Sequence, residues 1–223
     1  AWLNEDHFIH LVLLELRTTG RAAADPQDKR GVTNLMVGLL EEGAGDMDAR
    51  AFARATEELA ASFRYDVSDD TLSVSARFLT ENHDKALDLL RQSLVAPRFD
   101  EDAIERVREQ VNSSIRSSQK DPQDIAGTAF DALVYGNHPY ANPIAGTLES
   151  VASLTRDDLV AAHQATIARD RLYVSAVGDI TEDQLVSLLD ALLQDLPAEG
   201  APLPAPADLN LPGGIQGVDF QTP

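Results

Sequence analysis

Between residues 71 and 78 the chain alternates without a break: Leu72, Val74, Ala76 and Phe78 are apolar, while Thr71, Ser73, Ser75 and Arg77 are polar. A β-strand puts successive side chains on opposite faces, so this pattern makes one dry face and one wet face. Asp69-Asp70 just before it reads as the turn from an earlier strand near 63–67, which makes the pair a hairpin. Any fold for this chain must therefore contain antiparallel pairing.

The other segments fill in around that hairpin. Residues 8–17 are a short apolar run, the pattern of a strand buried on both faces. Asp25-Pro26 supplies a cap and a first-turn proline for a helix whose stripe is Val32, Leu35, Met36, Leu39 and Leu40, with Gly43 as its stop. A second helix is expected from about Asp48, with Phe52, Thr56, Leu59 and Phe63 at helical spacing. Helical periodicity returns over 83–95, over 101–118, from Asp121-Pro122 through Val134, and over 156–167 behind Thr155. Leu172 to Val177 is a further strand, and Thr181 with Gln184 forms a capping box for a helix carrying Leu185, Leu188, Leu189 and Leu192. Strands and helices are grouped rather than strictly alternating. The expected fold is α+β, a mixed or antiparallel sheet with helices packed on one face.

The 223 residues, 43% of them apolar, suffice for one sizeable core or two small ones. Past residue 196 prolines 197, 202, 204, 206 and 212 precede Gly213-Gly214. The expected organisation is a domain over 1–196, an extended linker over 197–214, and the strand-like start of a second domain over 215–223. No apolar run has the roughly 18–20 residues needed to span a bilayer, and no targeting signal stands at residues 1–6. A net charge of −19 repels phosphate backbones, which argues against nucleic acid and anionic membrane as partners and favours basic peptides or a basic protein surface. With no cysteine, disulfides and thiolate metal sites are excluded, and the composition suits periplasm or cytoplasm alike. The expectation is a soluble chain, with the periplasm placed first.

Motifs for the commoner chemistries are missing: there is no Gly-rich phosphate loop, Gly-x-Ser-x-Gly elbow or His-Glu-x-x-His. His7 and His10, three apart on an expected strand, would point to opposite faces. His83 stands at a polar helix start where solvation is expected, His138 lies in a turn, and His163 sits on a helix. None suggests a metal or nucleophile constellation.

The order of segments is more telling. Trp2 to His7, Gly31-Val32-Thr33-Asn34-Leu35, Gly43-Ala44-Gly45, Phe99-Asp100, Asn137-His138-Pro139-Tyr140, Gly146-Thr147-x-Glu149-Ser150 and Val177-Gly178-Asp179-Ile180 follow one another in sequence. This order resembles the N-terminal half of the pitrilysin, insulin-degrading enzyme and mitochondrial processing peptidase family across residues 2–200. The resemblance implies a zinc peptidase fold. Active members carry an inverted His-x-x-Glu-His on the first helix and a ligating Glu on a later one. Two imidazoles on one helix face hold the zinc, and the Glu between them activates its water.

In the register that Gly31 implies, Asn34 and Gly38 stand at the two histidine positions, Val37 at the general-base position and Ser114 at the third-ligand position. Val107 stands where a further carboxylate is usual. Glu41, Glu42, Glu105 and Glu109 are nearby, without an accompanying histidine. The resemblance then implies a non-catalytic subunit of a heteromeric zinc peptidase, without catalytic, metal or cofactor residues of its own and not an enzyme by itself. Zinc is expected only in an active paralogue that partners it, and an extended peptide is the shared substrate. The alternatives are a peptidase-derived scaffold subunit of a larger complex and, third, a zinc metalloendopeptidase with an unrecognised site. Gly38, read as mid-helix, carries two opposite expectations: Gly38→Ala stabilises if the site is vestigial, and destabilises if another segment has packed into it.

Overall fold

A computed structural model describes residues 1–19, 22–211 and 213–218. Its strands are β1 (Trp2–Glu5), β2 (Leu11–Thr19), β3 (Gly43–Ala44), β4 (Met47–Asp48), β5 (Ser62–Val67), β6 (Thr71–Leu79) and β7 (Leu172–Gly178). Five of them form one mixed sheet in the order β1-β7-β2-β6-β5, while β3 and β4 make a separate small hairpin. β1 runs parallel to β7, and every other pairing in the large sheet is antiparallel. The helices are α1 (Val32–Val37), α2 (Ala49–Glu58), α3 (His83–Val95), α4 (Glu101–Ser118), α5 (Pro122–Tyr135), α6 (Leu148–Ser153), α7 (Arg156–Thr166) and α8 (Glu182–Leu193). None among the described residues is long and apolar enough to cross a membrane.

The alternation of β6 sets the layering. Its Leu72, Val74, Ala76 and Phe78 are buried in register with Thr18, Leu16, Leu14 and Val12 of β2, and Val174 and Ala176 of β7 continue that face. Leu35 and Met36 of α1, Leu90 and Leu94 of α3, Ile104 and Val107 of α4, Leu159 of α7 and Leu185, Leu188 and Leu192 of α8 close over it as a single core. Nonpolar burial of this kind is the main favourable term in folding, at about 25 cal/mol per Å². The opposite face carries Glu15, Arg17, Ser73, Ser75 and Arg77 and is left open. This is the expected α+β architecture, with helices on one face of the sheet.

Local signals explain where the helices start. Asp48 accepts the Ala51 N–H at 2.8 Å, and Asp121 accepts those of Gln123 and Asp124 ahead of Pro122 at N1. Thr147, Thr155 and Thr181 each form a full capping box with the residue three positions on.

Several expectations are corrected. β2 is buried on one face only, because no second layer covers Leu13 and Arg17. The helix expected from Pro26 begins at Val32; residues 27–29 make a separate 3-10 turn, and Gly31 intervenes with φ +88°. That helix ends at Val37 rather than near Gly43, so Gly38 is its C-cap and not a mid-helix residue. Phe63 belongs to β5, not to α2. Strand β1 and the short helix α6 had no clear signature of their own. Residues 197–211 and 213–218 contain no helix or strand, and Pro212 and residues 219–223 of the expected terminal strand lie outside the described residues.

Candidate functional site

The approach to α1 is built by a buried carboxylate. Asp25 accepts hydrogen bonds from the Gly31 N–H at 3.1 Å, the Thr33 N–H at 3.4 Å and the Thr33 hydroxyl at 2.5 Å. It caps α1 from outside the helix, satisfying amides that the first turn leaves without partners. Burial pushes its carboxyl up to about 6, against the opposing pull of these hydrogen bonds and of the Arg30 charge. Arg30 is itself buried, and its Nη1 and Nη2 donate to the carbonyls of Ala22 at 3.2 Å and Pro139 at 2.7 Å.

The same loop interlocks with the segment 139–150. A β-carbon on Gly31 would stand 2.4 Å from the Ala145 carbonyl oxygen, and one on Gly146 (φ +76°) would stand 2.4 Å from that of Arg30. The Ser150 hydroxyl donates to the Arg30 carbonyl at 2.8 Å. Two of the sequence motifs that carry the family resemblance are thus two sides of one backbone contact, which holds the start of α1 in place.

Along α1, Asn34 is half-buried, Val37 is buried and Gly38 is exposed. A β-carbon on Gly38 would lie 2.9 Å from Val107 Cγ1, so the chain brings Gly38 and the buried Val107 of α4 together. Ser114 is exposed two turns farther along α4, on the wall of a groove of about 870 Å³ between α4 and α5. An amide, two aliphatic side chains, a hydroxyl and a bare glycine offer no imidazole, thiolate or carboxylate to a cation. Among the described residues no three His, Asp or Glu side chains converge in a way that could hold a metal ion. Three of the nearby carboxylates have other partners: Glu42 with Arg106 at 2.5 Å, Glu105 with Arg108 at 3.1 Å and Glu109 with Arg116 at 2.7 Å; the pKa of the fourth, Glu41, is raised by burial and by the Glu42 charge.

The histidines depart in part from expectation. His7 and His10 lie in the turn between β1 and β2 rather than on a strand, and both face Asp179, His7 at 2.8 Å and His10 at 3.6 Å. The Asp179 hydrogen bond raises the His7 pKa, and that of Asp179 falls in return. His83 is partly rather than fully solvated: its Nδ1 meets Asp84 at 2.8 Å at the surface while its ring packs edge-on to Phe78. His138 caps the 3-10 turn at 139–141 as a turn residue should, and contacts Tyr135 and Tyr140. His163 is held against the Leu94 carbonyl at 2.8 Å, with its pKa lowered by burial. Sequence reading missed the Gly38–Val107 contact and the exposure of α5. The signal for the second was present, since Ile125, Ala126, Ala129, Phe130, Ala132 and Leu133 give α5 a broader apolar arc than one buried residue needs.

The model of the family described as Insulinase (Peptidase family M16) matches residues 8–148. The chain belongs to this family. A second model, described as Peptidase M16 inactive domain, matches residues 153–219. Among curated relatives, a Helicobacter pylori protein named "Non-peptidase homolog YmxG" is 28% identical over 87% of this chain and 45% of its own length. A Rickettsia felis "Uncharacterized zinc protease" is 24% identical over 85% of this chain and 46% of its own. The beta subunit of the Neurospora crassa mitochondrial-processing peptidase is 24% identical over 78% of this chain and 37% of its own. The chain therefore spans less than half the length of these relatives. A solved structure titled as a peptidase M16 inactive domain from Pseudomonas fluorescens superimposes with a TM-score of 0.85 at 24% identity, covering 92% of this chain and 50% of that one.

Proposed function

We propose that the protein is a non-catalytic subunit of a heteromeric zinc peptidase, lining the peptide chamber that an active, zinc-bearing relative completes. Asn34, Val37, Gly38 and Ser114 are assigned to the family's zinc-site positions. The observation that carries this is the contact between α1 and α4, where Gly38 is backed by Val107 and, among the described residues, no three His, Asp or Glu side chains converge to hold a metal ion. The scaffold around it is intact, with a capped α1 and the interlocked loops at 22–31 and 139–150.

Peptide binding needs no metal. Among the described residues β5 is an edge strand that pairs with β6 alone, and α1 lies against it. An extended peptide can add to such an edge through main-chain hydrogen bonds. The name of the Helicobacter relative, a non-peptidase homolog, supports the non-catalytic part of this role, and that of the processing-peptidase beta subunit supports the multi-subunit part. Periplasm and cytoplasm are both compatible with it.

The test is reconstitution. Alone, the protein should hydrolyse no unfolded peptide under any added divalent metal. Mixed with a relative carrying an intact inverted motif, it should co-elute and raise hydrolysis above that of the relative alone. If no complex forms at micromolar concentration and the relative is equally active without it, the subunit role fails and the scaffold role replaces it.

A further inference from the structure

β1 and β2 flank β7 in the sheet, so the connection between them, residues 6–10, turns around the C-terminal end of β7. There the Asp6 N–H donates to the Gly178 carbonyl at 2.8 Å, and the Asp179 N–H to that of Leu11 at 3.0 Å. Gly178, at φ +124°, permits this approach, since a β-carbon on it would run into the Leu11 carbonyl. Two histidines then close on one carboxylate. His7 Nδ1 lies 2.8 Å from Asp179 Oδ1, His10 Nδ1 lies 3.6 Å from Oδ2, and His7 Nε2 is 3.5 Å from Glu5. Little else holds this corner. Phe8 and Ile9 are exposed at the tip of the turn, and of the four residues of β1 only Leu3 packs against the core.

The surroundings are acidic. Glu5 and Asp6 stand on the chain leading into the turn, and Glu81, Asp84 and Asp183 share with Asp179 a cavity whose basic groups are Lys85 and His83. A neutral imidazole leaves these carboxylates to repel one another; a charged one offsets them. We propose that His7, backed by His10 on the other oxygen of Asp179, is a pH-sensitive clasp that holds β1 on the sheet when charged and lets it fray when neutral. The hydrogen bond between them raises the His7 pKa and lowers that of Asp179. The raised imidazole contributes in full below its unfolded value of about 6.5 and is lost as pH rises through the folded one; the depressed carboxylate is lost only as pH falls below its ordinary range. The clasp is therefore closed near about pH 5.5 and loosens toward about pH 8.5. A neutral His7 can still donate one hydrogen bond, so the change is fraying of a strand and not unfolding. Its consequence is a new edge: β7, with seven residues, replaces the four of β1 as the border of the sheet, where an extended segment can pair. The device needs no zinc, peptide or partner subunit and stands apart from the proposed function.

The test is hydrogen exchange read by mass spectrometry on the purified protein, corrected for the intrinsic rise of exchange with pH. From about pH 5.5 to about pH 8.5, protection over residues 2–6 should fall roughly threefold relative to β6, the scale of an exposed ion pair. His7→Gln with His10→Gln keeps side-chain donors that do not titrate. In that variant the pH dependence should vanish, and protection at the lower pH should drop to that of wild type at the higher one. Asp179→Asn should do the same from the other side of the clasp, with circular dichroism showing both variants folded. Wild-type protection over residues 2–6 that does not change with pH would overturn the proposal. So would a pH dependence that survives in the double glutamine variant, which would assign it to the carboxylates alone. A loss shared equally by β6 would also overturn it, because the whole fold and not the clasp would then be titrating.

Discussion

Gly38 and Val107 meet across α1 and α4 so closely that a β-carbon on the glycine would stand 2.9 Å from Val107 Cγ1. Val107 is buried and, being β-branched on a helix, has little freedom to turn aside. Gly38 caps α1 rather than lying within it, which shrinks the propensity gain from alanine below the roughly 0.8–1 kcal/mol of a helix interior. Of the two expectations for Gly38→Ala, close packing therefore prevails. The variant should be destabilised by about 1 kcal/mol, within the usual range for overpacking. In a Val107→Ala background, itself destabilised by the lost methyl groups, the further penalty of Gly38→Ala should vanish, which a double-mutant cycle measures. A higher melting temperature for Gly38→Ala would overturn this.

The assigned zinc positions predict the metal content. After dialysis against micromolar zinc and then metal-free buffer, elemental analysis should find well under one zinc per chain. One tightly held zinc would sink both the assignment and the register on which it rests.

Asp25 gives a prediction for pH. Its carboxyl is raised from 3.8 to about 6 in the folded protein, so the fold favours the protonated form. The stability this group contributes is present in full below the unfolded value and is lost as pH rises through the folded one. Over the whole transition the loss is roughly 3 kcal/mol, taking about 1.4 kcal/mol per unit of pKa difference, and most of it falls between pH 4 and about pH 7. Asp25→Asn keeps an oxygen to accept from Gly31 and Thr33 but does not titrate. In urea titrations at several pH values, wild type minus variant should fall steadily from pH 4 to pH 7. A flat difference would show that burial does not govern this carboxyl.

Legibility in the sequence followed the range of the interactions. The β5–β6 hairpin, the capped starts of α2, α5, α7 and α8 and the core stripes were readable because each depends on residues within a few positions of one another. The start of α1 was not, because Asp25 also looks like a cap for Pro26 onward, and only the tertiary path of Gln27–Arg30 brings its carboxylate back to Gly31 and Thr33. His7 and His10 were misplaced for a related reason: β2 starts at Leu11, and both rings turn to Asp179, far along the chain. Asn34, Val37, Gly38 and Ser114 could be named only through family resemblance, since residues that cannot ligate leave no chemical signal. That Val107 backs Gly38 required coordinates.

Two glycines should respond to alanine in opposite directions. Gly146 holds φ at +76°, and a β-carbon there would lie 2.4 Å from the Arg30 carbonyl oxygen, which already accepts the Ser150 hydroxyl. Alanine must tolerate the left-handed conformation, at about 1–2 kcal/mol, and push the 139–150 segment off the loop before α1. Gly146→Ala should therefore cost several kcal/mol, an effect reserved for a few mechanisms of which backbone strain is one. Its local signature should be faster hydrogen exchange at the amides of Gly31 and Thr33, beyond that of other helix starts. Gly127 lies in α5 with nothing within 4 Å of a β-carbon. Gly127→Ala should stabilise by up to about 1 kcal/mol from helix propensity. If both variants shift stability in the same direction, or Gly146→Ala leaves the Gly31 and Thr33 amides protected, the interlock is not what holds α1 in place.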